Sequence, residues 1–406
     1  MSQSGWRQGD SIFLIAGEPS GDALGAKLIA ALKRAEGQSF RFVGVGGERM
    51  AAEGLQSLFP LTDIAVMGLT EVLPRLPVLL NRIRQTANAI WDAEPAAVVT
   101  IDAPSFGLRV ADRVRSSGIP LIHYVAPQLW AWRPGRARHL ARRVDHLMAL
   151  LPFEPEFFGK LGLACTYVGH PVIEDALVPA IGTEFRGRHG IPAEAPAVLV
   201  MPGSRIGLAE RMLPVFAAAM DRLLASHPRL HVILPTVAGT DEMIRGATAG
   251  WRAPRVVVSS AGEKRGAFAA ANAALTVSGT ATMELAVAGV PMVVAYRVGR
   301  ITEFLARRMI EVPYVAMPNL ILGRAAVPEL LQSECTPQRL ADELGKLIAG
   351  GTGVTAQRRD LGEICRTLGL DEMRAGGARP SDRAAAVILA AIKARRVRNE
   401  KRGRPE

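Results

Sequence analysis

Three stretches set polar side chains where a buried strand would end, and their residue types suit proton and phosphate chemistry. "VVTIDAPSFGLR" runs an apolar strand into Asp102, followed by Ala-Pro and a Phe-Gly turn. A carboxylate at the carboxyl end of a strand, just before a proline-restricted turn, is held where it could act as a general base. On type and position alone, capping the next helix is the commoner use of an aspartate there. "VLVMPGSR" ends a second strand in Pro202, Gly203, Ser204 and Arg205. Arg205 offers a planar, permanently charged fork suited to diphosphate oxygens, although a lone arginine at such a place usually makes a surface ion pair. "ALTVSGTATMELAVAGVP" closes a strand at Val277, turns through Ser278, Gly279 and Thr280, and opens a helix containing Glu284. The free N–H groups and positive dipole end of that helix favour a phosphate, and a glutamate one turn in can accept hydrogen bonds from ribose hydroxyls. Taken alone, Ser-Gly-Thr is equally an ordinary helix cap.

A fourth stretch, "AGEPSGDALGAK" at 16–27, has glycines at 17, 21 and 25 and raises the question of a phosphate cradle. Its glycines recur every four residues, and "GVGG" at 44–47 has Arg49 where a last glycine would fall, so neither matches the dinucleotide fingerprint G-x-G-x-x-G. No Walker lysine follows. Its close packing is expected instead to bring Glu18, Ser20 and Gly21 beside Asp102, on a sugar or acceptor side. His227 and His231 span Pro228 with no acidic neighbour, so a zinc helix is not expected. Ser20 lacks the G-x-S-x-G elbow of a hydrolase. Cys165, Cys335 and Cys365 stand in no metal or redox spacing, suit a reducing compartment and are expected to be buried. The expectation is neither metal nor cofactor.

The elements that must carry these residues alternate. Strands are read near 11–16, 40–44, 97–102, 120–125, 146–151 and 165–169, and again near 197–201, 230–234, 255–259, 273–277 and 291–296, with helices between. That is parallel α/β grammar, written twice. A chain of 406 residues exceeds the size at which one core keeps growing, so two domains are expected. With 49% apolar and 21% charged residues the chain is globular. The fold class is therefore α/β: two Rossmann-like domains facing across a cleft, with ligands at the carboxyl ends of the strands. From about 325 the chain reads as helical, ending in a basic tail from Lys393 to Arg404. The expected boundaries are 1–175, 176–370, and a C-terminal helix and tail over 371–406, which could return to the first domain or cross to a partner chain.

The N-terminus carries no signal-peptide pattern, and no apolar run is long enough to span a bilayer. A net charge of +11 nevertheless points to an anionic partner. "VMGLTEVLPRLPVLL" at 66–80 sets Leu69, Val72, Leu73, Leu76, Leu79 and Leu80 at helical spacing, a stripe that in a generic protein would face a core. Pro74 and Pro77 are expected to break that helix into shorter pieces.

Taken in order, "AGEPSGDALGAKLI", "FVGVGGERM", "MGLTEVLPRLP", "TIDAPSFGLR", "IHYVAPQLWAWRPGR", "LPFEPEFF", "VGHPV", "PGSR", "SGTATMELAVAGVPMVVAYR" and "PNLILGR" resemble the lipid-A-disaccharide synthase family from about residue 12 to about 335. The resemblance implies a GT-B architecture and an inverting hexosyltransferase that joins UDP-2,3-diacylglucosamine to 2,3-diacylglucosamine 1-phosphate (lipid X), releasing UDP. It implies that Asp102 is the general base, reversing the preference for a cap. It implies donor binding by Gly203, Ser204, Arg205, Ser278, Gly279, Thr280 and Glu284, with Asn319 and Arg324 from the "PNL..GR" segment. It also implies that Val66, Leu69, Val72, Leu73 and Leu76 form an exposed patch inserting into the inner membrane from its cytoplasmic face. Arg133, Arg136, Arg138, Arg142, Arg143 and the basic tail would add attraction to anionic lipid.

Two rivals remain at this level. Another GT-B enzyme acting on UDP-N-acetylglucosamine, a transferase or 2-epimerase, would not require the apolar 66–80 segment. A nucleic-acid-binding protein would use the charge, but only 5% of residues are aromatic and no nucleic-acid motif is present, so no nucleic-acid partner is expected. A homodimer is among the assemblies the C-terminal segment would allow.

Overall fold

The computed structural model describes residues 11–37, 39–64, 69–127, 134–177, 181–237, 239–297, 313–401 and 403. Contacts divide the chain into two compact units, Met1–Pro171 with Ala375–Glu406, and Val172–Arg374. The C-terminal segment thus belongs to the first unit.

The first unit is built on a parallel sheet of β1 (Ser11–Ala16), β2 (Arg41–Val45), β3 (Gln56–Ser57), β4 (Ala97–Ile101), β5 (Leu121–Tyr124), β6 (His146–Ala149) and β7 (Cys165–Tyr167), in the order β3-β2-β1-β4-β5-β6-β7. Its central strands β1, β4 and β5 are buried on both faces, which is why they read as near-continuous apolar runs rather than alternating ones. Ile12, Leu14 and Ala16 of β1 face one apolar cluster, shared with Leu28, Ile29 and Leu32 of the Pro19–Glu36 helix. Phe13 and Ile15 face another, with Ile83 and Ile90 of the Leu69–Ala93 helix.

The second unit repeats the plan with β8 (Ala197–Met201), β9 (His231–Pro235), β10 (Arg255–Val258), β11 (Ala273–Thr276), β12 (Met292–Tyr296) and β13 (Glu329–Leu331), in the order β10-β9-β8-β11-β12-β13. In both sheets the first strand of the unit sits beside the fourth, and the chain winds outward from that pair in both directions. This reversal opens a crevice at the carboxyl ends of β1 and β4, and of β8 and β11, where doubly wound sheets bind ligands.

Two sequence readings are corrected. The region after 325 is not wholly helical, because β13 intervenes at the sheet edge. Its three residues, like the two of β3, are too short to show any periodicity. Pro74 and Pro77 do not split their helix, which runs unbroken over Leu69–Ala93. Both prolines lie in its early turns, where each removes one i→i−4 bond, while Leu79, Ile83, Ala87 and Ile90 anchor the turns that follow.

Candidate active site

Two sets of candidate residues follow strand ends, one in each unit. In the first unit, Ala16 of β1 is in register with Ile101 of β4, so the two strands end level. β4 then leaves the sheet through two successive left-handed residues, Asp102 (φ +52°) and Ala103 (φ +41°). For non-glycine residues this conformation costs on the order of 1–2 kcal/mol apiece, and such strain gathers where function over-determines the backbone.

The helix that follows, Pro104–Val114, has Ala103 as its N-cap and no side-chain cap bond. Asp102 is therefore not spent on capping. Its Oδ1 accepts the adjacent Ala103 N–H at 2.9 Å, and its Oδ2 accepts the Ser20 hydroxyl at 3.2 Å. The Asp102 N–H donates to the Tyr124 carbonyl at 2.9 Å, tying the strand end to β5. Ser20 lies in the first turn of the Pro19–Glu36 helix, Glu18 is its N-cap, and Gly21 is buried where a Cβ would stand 3.1 Å from the Ile101 carbonyl oxygen. Gly17 packs on Ala103 so closely that any Cβ at 17 would collide with the Ala103 methyl. Gly17 and Gly21 of "AGEPSGDALGAK" thus serve packing at the ends of β1 and β4, while Gly25 makes room for Met50. One residue further along, the buried Asp22 accepts the N–H groups of Gly47, Arg49 and Met50 at 2.7, 3.0 and 3.1 Å, fixing the "GVGG" turn.

In the second unit β8 and β11 are parallel neighbours, Met201 opposite Thr276, so their loops share one crevice. Gly203 has φ +117°, a region open to glycine, and a Cβ there would stand 3.0 Å from Leu208 and 3.4 Å from Val277. Ser204 and Arg205 are exposed, with Arg205 the N-cap of the Ile206–Ser226 helix. Among the described residues Arg205 meets no carboxylate. Gly279 and Thr280 are exposed at the start of the Thr280–Val287 helix, whose Glu284 is held by Lys264 at 2.9 and 2.8 Å, one bond to each carboxylate oxygen.

Asn319 and Arg324 are placed differently. The Asn319 side chain is buried and fully committed: its amide donates to the Val327 carbonyl at 2.9 Å and to Glu329 at 2.7 Å, and its oxygen accepts the Val327 N–H at 2.8 Å. Glu329 also accepts the N–H groups of Val315 and Ala316 at 3.0 and 2.9 Å, while the Val315 carbonyl accepts the Ser278 hydroxyl at 2.8 Å. Asn319 therefore reaches the Ser278 turn through a chain of hydrogen bonds. Arg324 grips Glu363 at 2.6 Å and Asp360 at 3.0 Å, and those bonds raise its pKa further. Glu329 and Lys264 carry no local signal in the sequence; only folding brings them to these turns.

The other groups play no visible part. Val66 and Arg133 lie outside the described residues, as do the side chains of Leu69, Val72, Leu73 and Arg136. Leu76, Val78 and Leu80 of the Leu69–Ala93 helix are exposed at 39%, 46% and 47%. Arg143 pairs with Asp112 at 3.0 Å. Burial, with Glu154 nearby, pushes the Cys165 thiol up to about 12. Among the described residues no group of three metal-ligating side chains occurs, and no helix is long and apolar enough to cross a membrane.

Two Rossmann-like sheets with a helical C-terminal segment define a GT-B protein, and the solved structures agree. A UDP-GlcNAc 2-epimerase from Neisseria meningitidis bound to UDP-GlcNAc superposes with a TM-score of 0.60 at 11% identity, covering 88% of this chain and 99% of that one. A glycosyltransferase of kitacinnamycin gives 0.60 at 17% identity, covering 95% and 100%. At such identities the likeness is one of fold, shared by epimerases and transferases alike. Sequence decides between them. The family described as lipid-A-disaccharide synthetase matches residues 12–373. The lipid-A-disaccharide synthase of Rhodospirillum centenum is 49% identical over 94% of each chain, and that of Gluconobacter oxydans 45% identical over 94% of this chain and 91% of its own. The chain belongs to the lipid-A-disaccharide synthase family.

Proposed function

We infer that this chain is a hexosyltransferase that makes the lipid A disaccharide, and the observation that carries the reading is its end-to-end relation to synthases of that name. The proposed reaction takes UDP-2,3-diacylglucosamine as donor and 2,3-diacylglucosamine 1-phosphate as acceptor. The acceptor 6-hydroxyl attacks the anomeric carbon from the face opposite the leaving group and gives its proton to Asp102. The bond from the anomeric carbon to the phosphate oxygen breaks, its electron pair departs on UDP, and the anomeric configuration inverts. Asp102 suits this part because its carboxylate is part-exposed and committed to no helix cap.

Negative charge grows on UDP as the oxocarbenium-like sugar forms, so fixed positive groups aimed at the diphosphate lower the barrier. Arg205, which meets no carboxylate among the described residues, and the exposed start of the Thr280–Val287 helix would supply them, alongside Gly203, Ser204, Ser278 and Gly279. Glu284, oriented by Lys264, would accept the ribose hydroxyls. Asn319 would act through Glu329 on the Ser278 turn, and Arg324 by clasping its segment to the Thr352–Thr367 helix. Glu18, Ser20 and Gly21 would border the acceptor. Because both substrates carry acyl chains, the exposed Leu76, Val78 and Leu80 are proposed to rest on the anionic cytoplasmic face of the inner membrane, with Val66, Leu69, Val72 and Leu73 alongside.

Incubation with both substrates and mass spectrometry should show the disaccharide 1-phosphate, and no product across a range of acyl lengths would remove the reading. Asp102→Asn is expected to cut transfer by about 10²–10⁴-fold while UDP affinity, measured calorimetrically, stays within about twofold. More than a few per cent of wild-type turnover would sink the base assignment.

A further inference from the structure

We propose that the β1 turn is the mould of the base: Gly17 admits the strained Asp102–Ala103 backbone and Ser20 aims the carboxylate, making Ser20 a positioning residue. The proposal rests on Asp102 being the base. Two left-handed residues in succession, the second directly before Pro104, would relax in a free chain. Here the strand end is pinned from one side by the Tyr124 carbonyl, at 2.9 Å from the Asp102 nitrogen. On the other side the Ala103 methyl occupies the place that a Cβ at Gly17 would take. The backbone conformation thus depends on a residue 85 positions earlier that has no side chain.

The carboxylate is then set by two donors, one on each oxygen. The Ala103 N–H fixes Oδ1 at 2.9 Å, but it belongs to the next residue and follows the side chain wherever the turn takes it. Ser20 is the donor from outside the turn, reaching Oδ2 at 3.2 Å across 82 residues of sequence. Each carboxylate oxygen has two acceptor sites, so one on each remains for an incoming hydroxyl. In the transfer step the acceptor's proton moves to one of those free positions, while Ser20 keeps its own proton throughout. Without Ser20 the carboxyl group can rotate about its last bond, and general base catalysis is sensitive to such misplacement.

The test uses the full chain with UDP-2,3-diacylglucosamine and lipid X, comparing Ser20→Ala, Ser20→Thr, Asp102→Asn and the Ser20→Ala/Asp102→Asn double variant. Ser20→Ala should lower kcat by about 10- to 30-fold with KM for either substrate within about twofold, the signature of an interaction used only in the transition state. Ser20→Thr, which keeps a hydroxyl, should recover most of that loss. In the Asp102→Asn background Ser20→Ala should cost nothing more, because coupled residues are not additive. A wild-type kcat in Ser20→Ala, or a loss confined to KM for lipid X, overturns the proposal and leaves the base standing. A Ser20→Ala loss of equal size without Asp102 also overturns it. Near wild-type turnover of Asp102→Asn would instead bring down the base reading itself. Gly17→Ala should lose both kcat and thermal stability, and its failure to fold would leave the Ser20 comparison intact.

Discussion

Glu329 takes more hydrogen bonds than any group proposed to touch the donor, yet it sits on an edge strand behind the Ser278 turn. It collects the Val315 and Ala316 N–H groups and the Asn319 amide within 3.0 Å. Glu329→Gln would turn an amide NH2 toward donors that need an acceptor, an unsatisfied arrangement costing about 1–3 kcal/mol. The expected outcome is a donor KM raised about tenfold or more with acceptor KM unchanged, measured by steady-state kinetics. An equal rise in both would argue against transmission through Ser278. At this scale the sequence offers candidates where a polar residue follows a strand, at once for Asp102 after β4 and four residues on for Arg205 after β8. It could not show Glu329, Lys264 or the Asn319 network. Those depend on pairs joined across 8 to 37 residues by tertiary bonds, and no local spacing encodes such pairs.

Among the elements, the Leu69–Ala93 helix has two lives. Its later turns bury Ile83 and Ile90, while Leu76, Val78 and Leu80 are left facing out. Serine at Leu69, Val72, Leu73 and Leu76 should release the protein from anionic vesicles in a sedimentation assay without lowering its thermal midpoint appreciably. Unchanged sedimentation would move membrane contact elsewhere. The amphipathic period is readable in "VMGLTEVLPRLPVLL", but the prolines mislead, since the buried Leu79, Ile83, Ala87 and Ile90 hold the helix although each proline costs it one bond. Central strands were legible because they are apolar throughout. The edge strands β3 and β13 were not, being too short to carry a period.

For the whole molecule, the parallel grammar and the two-unit plan followed from strand runs alone, whereas the return of the C-terminus to the first unit could be read only as one of two options. Two buried histidines of that first unit add a sensitivity to acid. Burial lowers His123 from 6.5 to about 4, and burial with Lys27 nearby lowers His170 to about 4. Below pH 6.5 the unfolded chain therefore takes up protons that the folded one refuses. Stability should fall as pH drops from 6.5 to 4, by about 2 kcal/mol per histidine at pH 5. Urea midpoints at pH 7.5 and 5 should show this, and His123→Asn should flatten the dependence. A midpoint independent of pH over that window would exclude neutral burial of both rings.

The closing helix, Pro380–Lys401, lays Ala384, Ala385, Ile388 and Ile392 into the same cluster as β1, with Arg395 donating to the Pro95 carbonyl at 2.7 Å and Arg34 gripping Asp382 at 2.6 Å. Ending the chain after Arg374 would strip that burial, worth about 5 kcal/mol and comparable to the net stability of a domain. Limited proteolysis of the truncated chain should then cut the first unit while sparing the second. The same feature sets an order of events during synthesis. The first unit's core stays open until Ile392 has emerged from the ribosome, and the Val172–Arg374 unit can fold while the Asp102 side waits for its final wall.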